Sequence, residues 1–311
     1  MLVADERFNL EDPNRFHNGT MYLIAGFACM NTLTLALTAA LPFAVSPIVW
    51  SKARVPLLYL WRHHRWPDVE KPALFTEWVQ WRKLNDRDVS LAMLTDKLFA
   101  KDFAASRIGI DSVVPTLWEG TQLPTLPPWQ LPFIVKANHG CGQFVVVRCV
   151  ADWNRAQRES PGWLTRPYGY WLDEWHYTQA RRRLLVEPFI GPADALPIDY
   201  KIYVFEGVAR CIQVHLGRAS QHRWSQYDRD WNLLSAGPQD KSIKPPSSLA
   251  EMLKAAECIA SGRDHLRVDF YEVDGRAMFG ETCLFAGSGL DRFHPFSLDR
   301  TLGQYWSNSV K

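Results

Sequence analysis

Between Phe16 and Ser51 the chain carries no Lys, Arg, Asp or Glu. Its core, Met21 to Trp50, is longer than the ~20 residues that a helix needs to cross a bilayer. Asn31 and several threonines interrupt the apolar pattern, and Pro42 and Pro47 can end or kink a helix. The run reads in three ways: a membrane segment, a buried hairpin of two core helices, or a non-native N-terminal extension. Lys52, Arg54, Arg62 and Arg65 follow it, against Arg7 and Arg15 before it. By the positive-inside rule this excess leaves the C-terminal bulk in the cytoplasm, anchored to the inner face of the membrane through 21–50. The leader before the run is long and acidic, unlike a cleavable signal peptide.

The pattern then changes. Residues 53–85 are rich in Trp and Arg and read as helical, with Trp78 and Trp81 spaced to share a helix face. Leu91, Leu94 and Leu98 predict one helix from Val89 to about Ser106, with Asp96-Lys97 inside it as an exposed charge pair. The proline-rich stretch Leu123 to Pro132 predicts a linker between lobes. Two β-branched runs follow, Phe133–Ala137 and Phe144–Val150, joined by the glycine-bearing loop Asn138 to Gln143. Leu184 to Gly191 is an apolar strand broken by Pro188, which places Glu187 at a strand end. A hairpin is expected from Tyr200–Phe205 and Val208–Leu216. A helix is expected from Ser248 to Ala260, with Ser248 and Glu251 as a capping box and Gly262 as the stop. Last come two alternating strands, Leu266–Glu272 and Arg276–Glu281, closed by the Asp274-Gly275 pair of a tight turn.

Composition narrows the class. With 311 residues, 47% hydrophobic and 22% charged, the chain has ample material for a folded core. A net charge of +2 argues for neither a nucleic-acid partner nor an acidic substrate, and no nucleic-acid partner is expected. The six cysteines form no CxxC pair, so neither a zinc nor a redox framework is implied.

The candidate chemistry gathers at the strands. Arg267 and Asp269 share a strand face, and the tight turn can return Glu281 towards them. Two carboxylates beside an arginine suit Mg²⁺ with substrate phosphates completing its shell. A surface hairpin with a salt bridge fits the same residues. Two carboxylates held close should also repel, so that one takes up a proton more readily. Lys136 stands at the entrance of the Asn138–Gln143 loop, whose Gly140 and Gly142 let backbone amides approach a phosphate. Asp199 and Lys201 lie on one face of their strand. Arg218, Arg223 and Arg229 are candidates to bind an acidic acceptor, or else surface salt-bridge partners.

In order, Asp96-Lys97, Lys136 with its loop, Glu187, Asp199-Tyr200-Lys201, Arg267-Val268-Asp269 and Glu281 resemble the ATP-grasp superfamily. The stretches KPALFTEWVQWRKLNDRDVSLAMLTDKLFAKDFAASRIG, LPFIVKANHGCGQ, IDYKIYVFEGVARCIQVHLGR, YDRDWNLL and LRVDFYEVDGRAMFGETCLFAGSGLDRF resemble its TupA-like branch, named for teichuronopeptide biosynthesis, from about residue 71 onwards. The resemblance implies an α+β ATP-grasp fold of two lobes clamping ATP. Along the chain a polar leader and hydrophobic segment are expected over 1–52, without a counterpart in the family, then a helical region over 53–125 and the ATP-grasp lobes over 126–311. The resemblance implies that Lys97 and Lys136 hold phosphates under the loop of Asn138, Gly140 and Gly142. Glu187 would meet the adenine, Lys201 a phosphate, Asp269 and Glu281 would hold Mg²⁺, and Arg267 would act on the transferring phosphoryl group.

The activity so implied is ATP-dependent carboxylate–amine ligation, with an acidic sugar or amino-acid carboxylate as acceptor, in cell-surface polysaccharide synthesis. The alternatives are a sugar kinase using the same ATP site and a non-catalytic nucleotide-binding partner of an assembly complex. Two positions depart from the pattern. Thr282-Cys283 follows Glu281 where many members have Glu-x-Asn, and Trp78 follows Glu77 where Lys is expected.

Overall fold

The computed structural model describes residues 47–165, 168–192, 195–217, 223–235 and 243–307. Most of the uncharged run 21–50, and Arg218, lie outside them. Among the described residues no helix is long and apolar enough to cross a membrane.

Two antiparallel sheets organise the chain. The smaller has the order β1-β4-β2-β3, from β1 (Trp118–Gly120), β2 (Phe133–Ala137), β3 (Phe144–Val147) and β4 (Leu184–Pro188). Its core joins Phe133, Val135, Val145, Val147, Leu184 and Val186 to Trp153 and Ala156 of helix Val150–Thr165. The larger sheet has the order β10-β9-β5-β6-β7-β8. Its strands are β5 (Asp199–Phe205), β6 (Val208–Leu216), β7 (Arg223–Tyr227), β8 (Leu233–Ser235), β9 (His265–Val273) and β10 (Arg276–Cys283). Met252, Ala256 and Ile259 of helix Leu249–Ala260 share a core with Ile202, Val204 and Val268 of that sheet. Helices α1 (Pro47–His63) and α2 (Phe75–Asn85) precede a short α3 (Val89–Met93) and α4 (Lys97–Ile108). This α+β arrangement agrees with the expected fold class.

Three local expectations give way to tertiary contacts. The helix expected over 89–106 is two helices. Asp96, extended at φ −80° and ψ 111°, caps the second by accepting a hydrogen bond from Phe99 N. A short acceptor side chain competes with the helical backbone and restarts the helix there. Asp96 is buried and also accepts from the Arg181 guanidinium, so it is no exposed charge. The stretch Leu123 to Pro132 joins β1 to β2 within one sheet, rather than linking lobes, and Leu123 is buried in the small core. The capping box at Ser248 is absent. Glu251 instead accepts from Ala277 N, and Ser248 Oγ donates to Glu272.

Candidate active site

The β9–β10 hairpin turns at Asp274 and Gly275, both with positive φ (50° and 73°), the signature of a two-residue primed turn. From Arg276↔Val273 to Phe279↔Phe270 the ladder is regular. Left regular, it would set Gly280 against Asp269 and place Glu281 on the other face. The register instead shifts between Phe279 and Glu281, so that Glu281 pairs with Asp269 and Cys283 with Arg267. One extra residue on β10, a β-bulge, thus puts both carboxylates on one face. Glycine is needed there: a Cβ on Gly280 would sit 2.9 Å from the Tyr271 ring and 3.2 Å from Asp269 O.

Cations fill the space around the acids. Arg267 holds Asp269 with two hydrogen bonds, each 2.7 Å. Lys201 Nζ bridges Asp269 at 2.6 Å and Asp199 at 2.7 Å. Lys97, the first residue of α4, reaches Glu281 at 2.6 Å. These groups form one balanced cluster of three acids and three bases. Burial alone would push the Glu281 carboxyl up, but Lys97, then Lys201 and Arg267, outweigh it and hold it below the usual carboxylate range. At Glu281 the expectation that a paired carboxylate takes up a proton more readily is therefore corrected, because Lys97, Lys201 and Arg267 give the field there the opposite sign. The same contact works in reverse on Lys97: burial disfavours its charge, and Glu281 restores it and raises its pKa.

The smaller sheet supplies a second cluster. Lys136 on β2 and Glu187 on β4 are diagonal neighbours, since Ile134 pairs with Glu187 and Lys136 with Leu185. Lys136 Nζ lies 2.6 Å from one Glu187 oxygen and Lys101 Nζ 2.6 Å from the other. Glu187 is buried, which would raise its pKa, but Lys136 and Lys101 bring it below the usual range. Lys101 escaped the sequence reading, although it lies one turn beyond Lys97 on the same helix face. It also donates to Thr116 Oγ1 at 2.7 Å, a second residue the sequence did not suggest.

A cleft between the sheets joins the two clusters. It is lined by Lys97, Lys136, Glu187 and Glu281, by the loop Gly140–Gln143, and by Tyr271 and Gly280. Counting its open mouth, and the solvent space there, it spans about 950 Å³. Gly142 has φ +73° at the tip of the loop. Asn138 does not face this space freely: its Oδ1 accepts from Leu98 N and its Nδ2 donates to Arg181 O. It ties the loop to the start of α4 and so sets Lys97 beside Lys136. Arg223 is exposed on β7, and Arg229 pairs with Glu257 at 3.4 Å rather than with either cluster.

Among the described residues no three of His, Cys, Asp and Glu converge on a point that could hold a metal ion. Asp269 and Glu281 offer two hard carboxylates, which fits Mg²⁺ when phosphate and water oxygens complete the shell. Cys283 is buried, and burial pushes its thiol up to about 11. A neutral thiol is a poor ligand for so hard a cation.

A family model described as TupA-like ATPgrasp matches residues 77–307. The chain belongs to the TupA-like ATP-grasp family. No curated protein matches it. Similar solved structures include the D-alanine–D-alanine ligase of Bacillus anthracis complexed with ATP, at 15% identity and TM-score 0.41, covering 70% of this chain and 68% of that one. The Helicobacter pylori D-alanine–D-alanine ligase follows at 16% and 0.42, covering 70% and 59%. An L-amino acid ligase of Bacillus licheniformis gives 14% and 0.45, covering 70% and 50%. In this TupA-like protein the departure at Trp78 has a packing reason. Its ring stacks on Trp306 with centroids 6.0 Å apart and meets Trp81 edge-on at 5.5 Å.

Proposed function

We propose that this TupA-like protein is an ATP-dependent carboxylate–amine ligase acting on an acidic sugar or amino-acid carboxylate in cell-surface polysaccharide synthesis. The observation that carries the proposal is the bulge-set pairing of Asp269 with Glu281 inside a ring of Lys97, Lys201 and Arg267, across a cleft from Lys136. Every cation in that ring has a carboxylate partner that an arriving phosphate chain could replace. Lys97 and Lys136 would exchange Glu281 and Glu187 for ATP phosphates, and the Gly140–Gly142 amides would cover them. Glu187 and the chain after it would meet the adenine. Asn138 contributes by holding the loop in place. Mg²⁺, held by Asp269 and Glu281, would supply positive charge beside the transferring phosphoryl oxygens.

A carboxylate resists attack by an amine because it is anionic and its oxygen leaves poorly. The acceptor carboxylate oxygen would attack the γ-phosphorus of ATP and ADP would leave. The amine nitrogen would then attack the acyl carbon and phosphate would leave, forming the amide bond. Lys136, Lys201 and Arg267 would stabilise charge that spreads over the phosphoryl oxygens during the first step, where preorganised donors are most effective. Arg218, Arg223 and Arg229 are proposed to serve the acidic acceptor.

We place the protein at the cytoplasmic face of the membrane, attached through 21–50. Residues 1–52, 53–125 and 126–311 are proposed as its leader, helical region and catalytic lobes. The test is phosphate release from ATP with uronates and amino acids supplied in pairs. Release that requires both a carboxylate and an amine supports ligation. A phosphorylated sugar formed without amine makes the protein a kinase instead, and nucleotide binding without turnover makes it a non-catalytic partner.

A further inference from the structure

Helix α1 is amphipathic in an unusual sense: the face it turns to solvent is apolar. Trp50, Ala53, Leu57, Leu60 and Trp61 recur at three- and four-residue spacing and all are exposed, Leu57 at 55% and Trp61 at 54%. Val55 and Tyr59, on the opposite face, are buried against the protein. Soluble helices show the reverse pattern, with polar residues outward. The exposed apolar surface does not stop at the helix. Trp66 follows at 60% exposure, and Arg54 lies over the rings of Tyr170 and Trp171, which are themselves exposed. Arg65 lies over exposed Phe296 on the other flank.

We propose that this face of α1, with Trp66, Tyr170 and Trp171, rests on the surface of an anionic lipid bilayer. Three observations select lipid over a second copy of the chain. Residues 50–66 contain no Asp or Glu, and Lys52 is exposed beside the apolar face, which suits acidic headgroups, while Arg54 is held by Asp173 and Arg65 by Glu77. Tryptophan and tyrosine supply much of the exposed ring area, and such rings favour the headgroup level, where one end is apolar and the other wet. The helix also continues directly from a sequence run without charge, Phe16 to Ser51, so the face begins where an apolar segment ends. The inference rests on the proposed attachment through 21–50 and adds a second, separate contact to it.

The contact has a route to the cleft. On its inner side, Arg62 Nε donates to Leu290 O at 3.0 Å and His63 hydrogen-bonds Gly289 O at 3.0 Å. That Gly-Ser-Gly loop follows β10, which carries Glu281. Docking of α1 therefore fixes the loop after the carboxylate strand relative to the membrane, the side from which a lipid-linked acceptor would arrive.

The experiment uses the full chain in vesicles of phosphatidylcholine with phosphatidylglycerol. A photo-reactive benzophenone side chain replaces Leu57 or Trp61 and, as control, exposed Lys254 on the helix Leu249–Ala260. Lipid adducts at both α1 positions and none at Lys254 are expected. Adducts at 57 and 61 to a second chain or to residues 21–46, with the protein still sedimenting with the vesicles, overturn the proposed face and leave the attachment through 21–50 standing. Protein that stays in the supernatant overturns both. A second measurement holds the fold in check: Leu57→Glu with Trp61→Glu should keep its melting temperature in detergent while losing at least tenfold of any vesicle affinity gained from phosphatidylglycerol. An unchanged affinity contradicts the proposal.

Discussion

The hairpins β9–β10 and β2–β3 face each other across the cleft, and they are built differently. The first closes in two residues, carries its acids in the strands, and buries Asp269 to 1% exposure. The second closes through the loop Asn138–Gln143, carries a cation, and leaves Cys141 and Gly142 exposed. Its loop is tied at the base, by Ala137 N donating to Gln143 O and by the Asn138 side chain. The difference matches what each is proposed to hold. A metal ion needs oxygens fixed in register, which a tight turn and one bulge supply. A phosphate chain is met by backbone amides, which require glycine and an open tip.

The largest expected effect is on the acid side. Asp269→Asn should lower turnover by about a hundredfold to a thousandfold or more, the loss of charge stabilisation in the transition state. It should also lower stability, because Arg267 and Lys201 keep their charge while both lose the Asp269 carboxylate they hold; breaking a buried pair costs about 3–5 kcal/mol. Steady-state rates and melting curves check both parts, and an active enzyme of lower stability would reduce the pair to a structural role. On the base side, Lys136→Ala should weaken ATP binding with the fold intact. Losing one charged hydrogen bond costs about 1.5–3 kcal/mol, roughly tenfold to a hundredfold in affinity by calorimetry.

The two hairpins were not equally legible. The Asp-Gly turn and the period-two alternation of β9 are local signals, and they place Arg267 and Asp269 on one face without tertiary information. The bulge at Gly280 is not local. It depends on Tyr271 and the Asp269 carbonyl across the ladder, and no residue beside Gly280 announces it. The β2–β3 strands were readable from their β-branched runs, but Asn138 looked like a loop residue because its partners, Leu98 and Arg181, come from elsewhere in the chain. Lys101 was readable in principle from its spacing to Lys97. The abundance of tryptophan becomes intelligible only in three dimensions. Trp118, Trp129 and Trp153 close the small core around Phe133, and Trp78 and Trp306 serve the large one.

A smaller effect sharpens the role of the bulge. Gly280→Ala should force the Tyr271 ring aside and shift Glu281, costing about 1–3 kcal/mol of stability by overpacking. Turnover should fall further than in an alanine substitution at the exposed loop tip, Cys141→Ala. Equal rates in the two variants would show that the acid register is not critical. The smallest effect is expected at Cys283, which pairs with Arg267 in the strand register. Cys283→Asn should change Mg²⁺-dependent turnover by no more than a few-fold downward, or raise it, if an amide oxygen there can join the carboxylates. A collapse in melting temperature would mark Cys283 as a packing residue that tolerates no buried amide.

The central claim is that Asp269 and Glu281 together receive the metal that accompanies ATP. Glu281→Gln tests it best, because Glu281 is less buried than Asp269 and the change keeps its size. The measurement is ATP affinity by calorimetry, with and without Mg²⁺, in the wild type and in Glu281→Gln. The account predicts that Mg²⁺ tightens ATP binding about tenfold or more in the wild type and that most of this gain is lost in the variant. An equal Mg²⁺ gain in both proteins would contradict it.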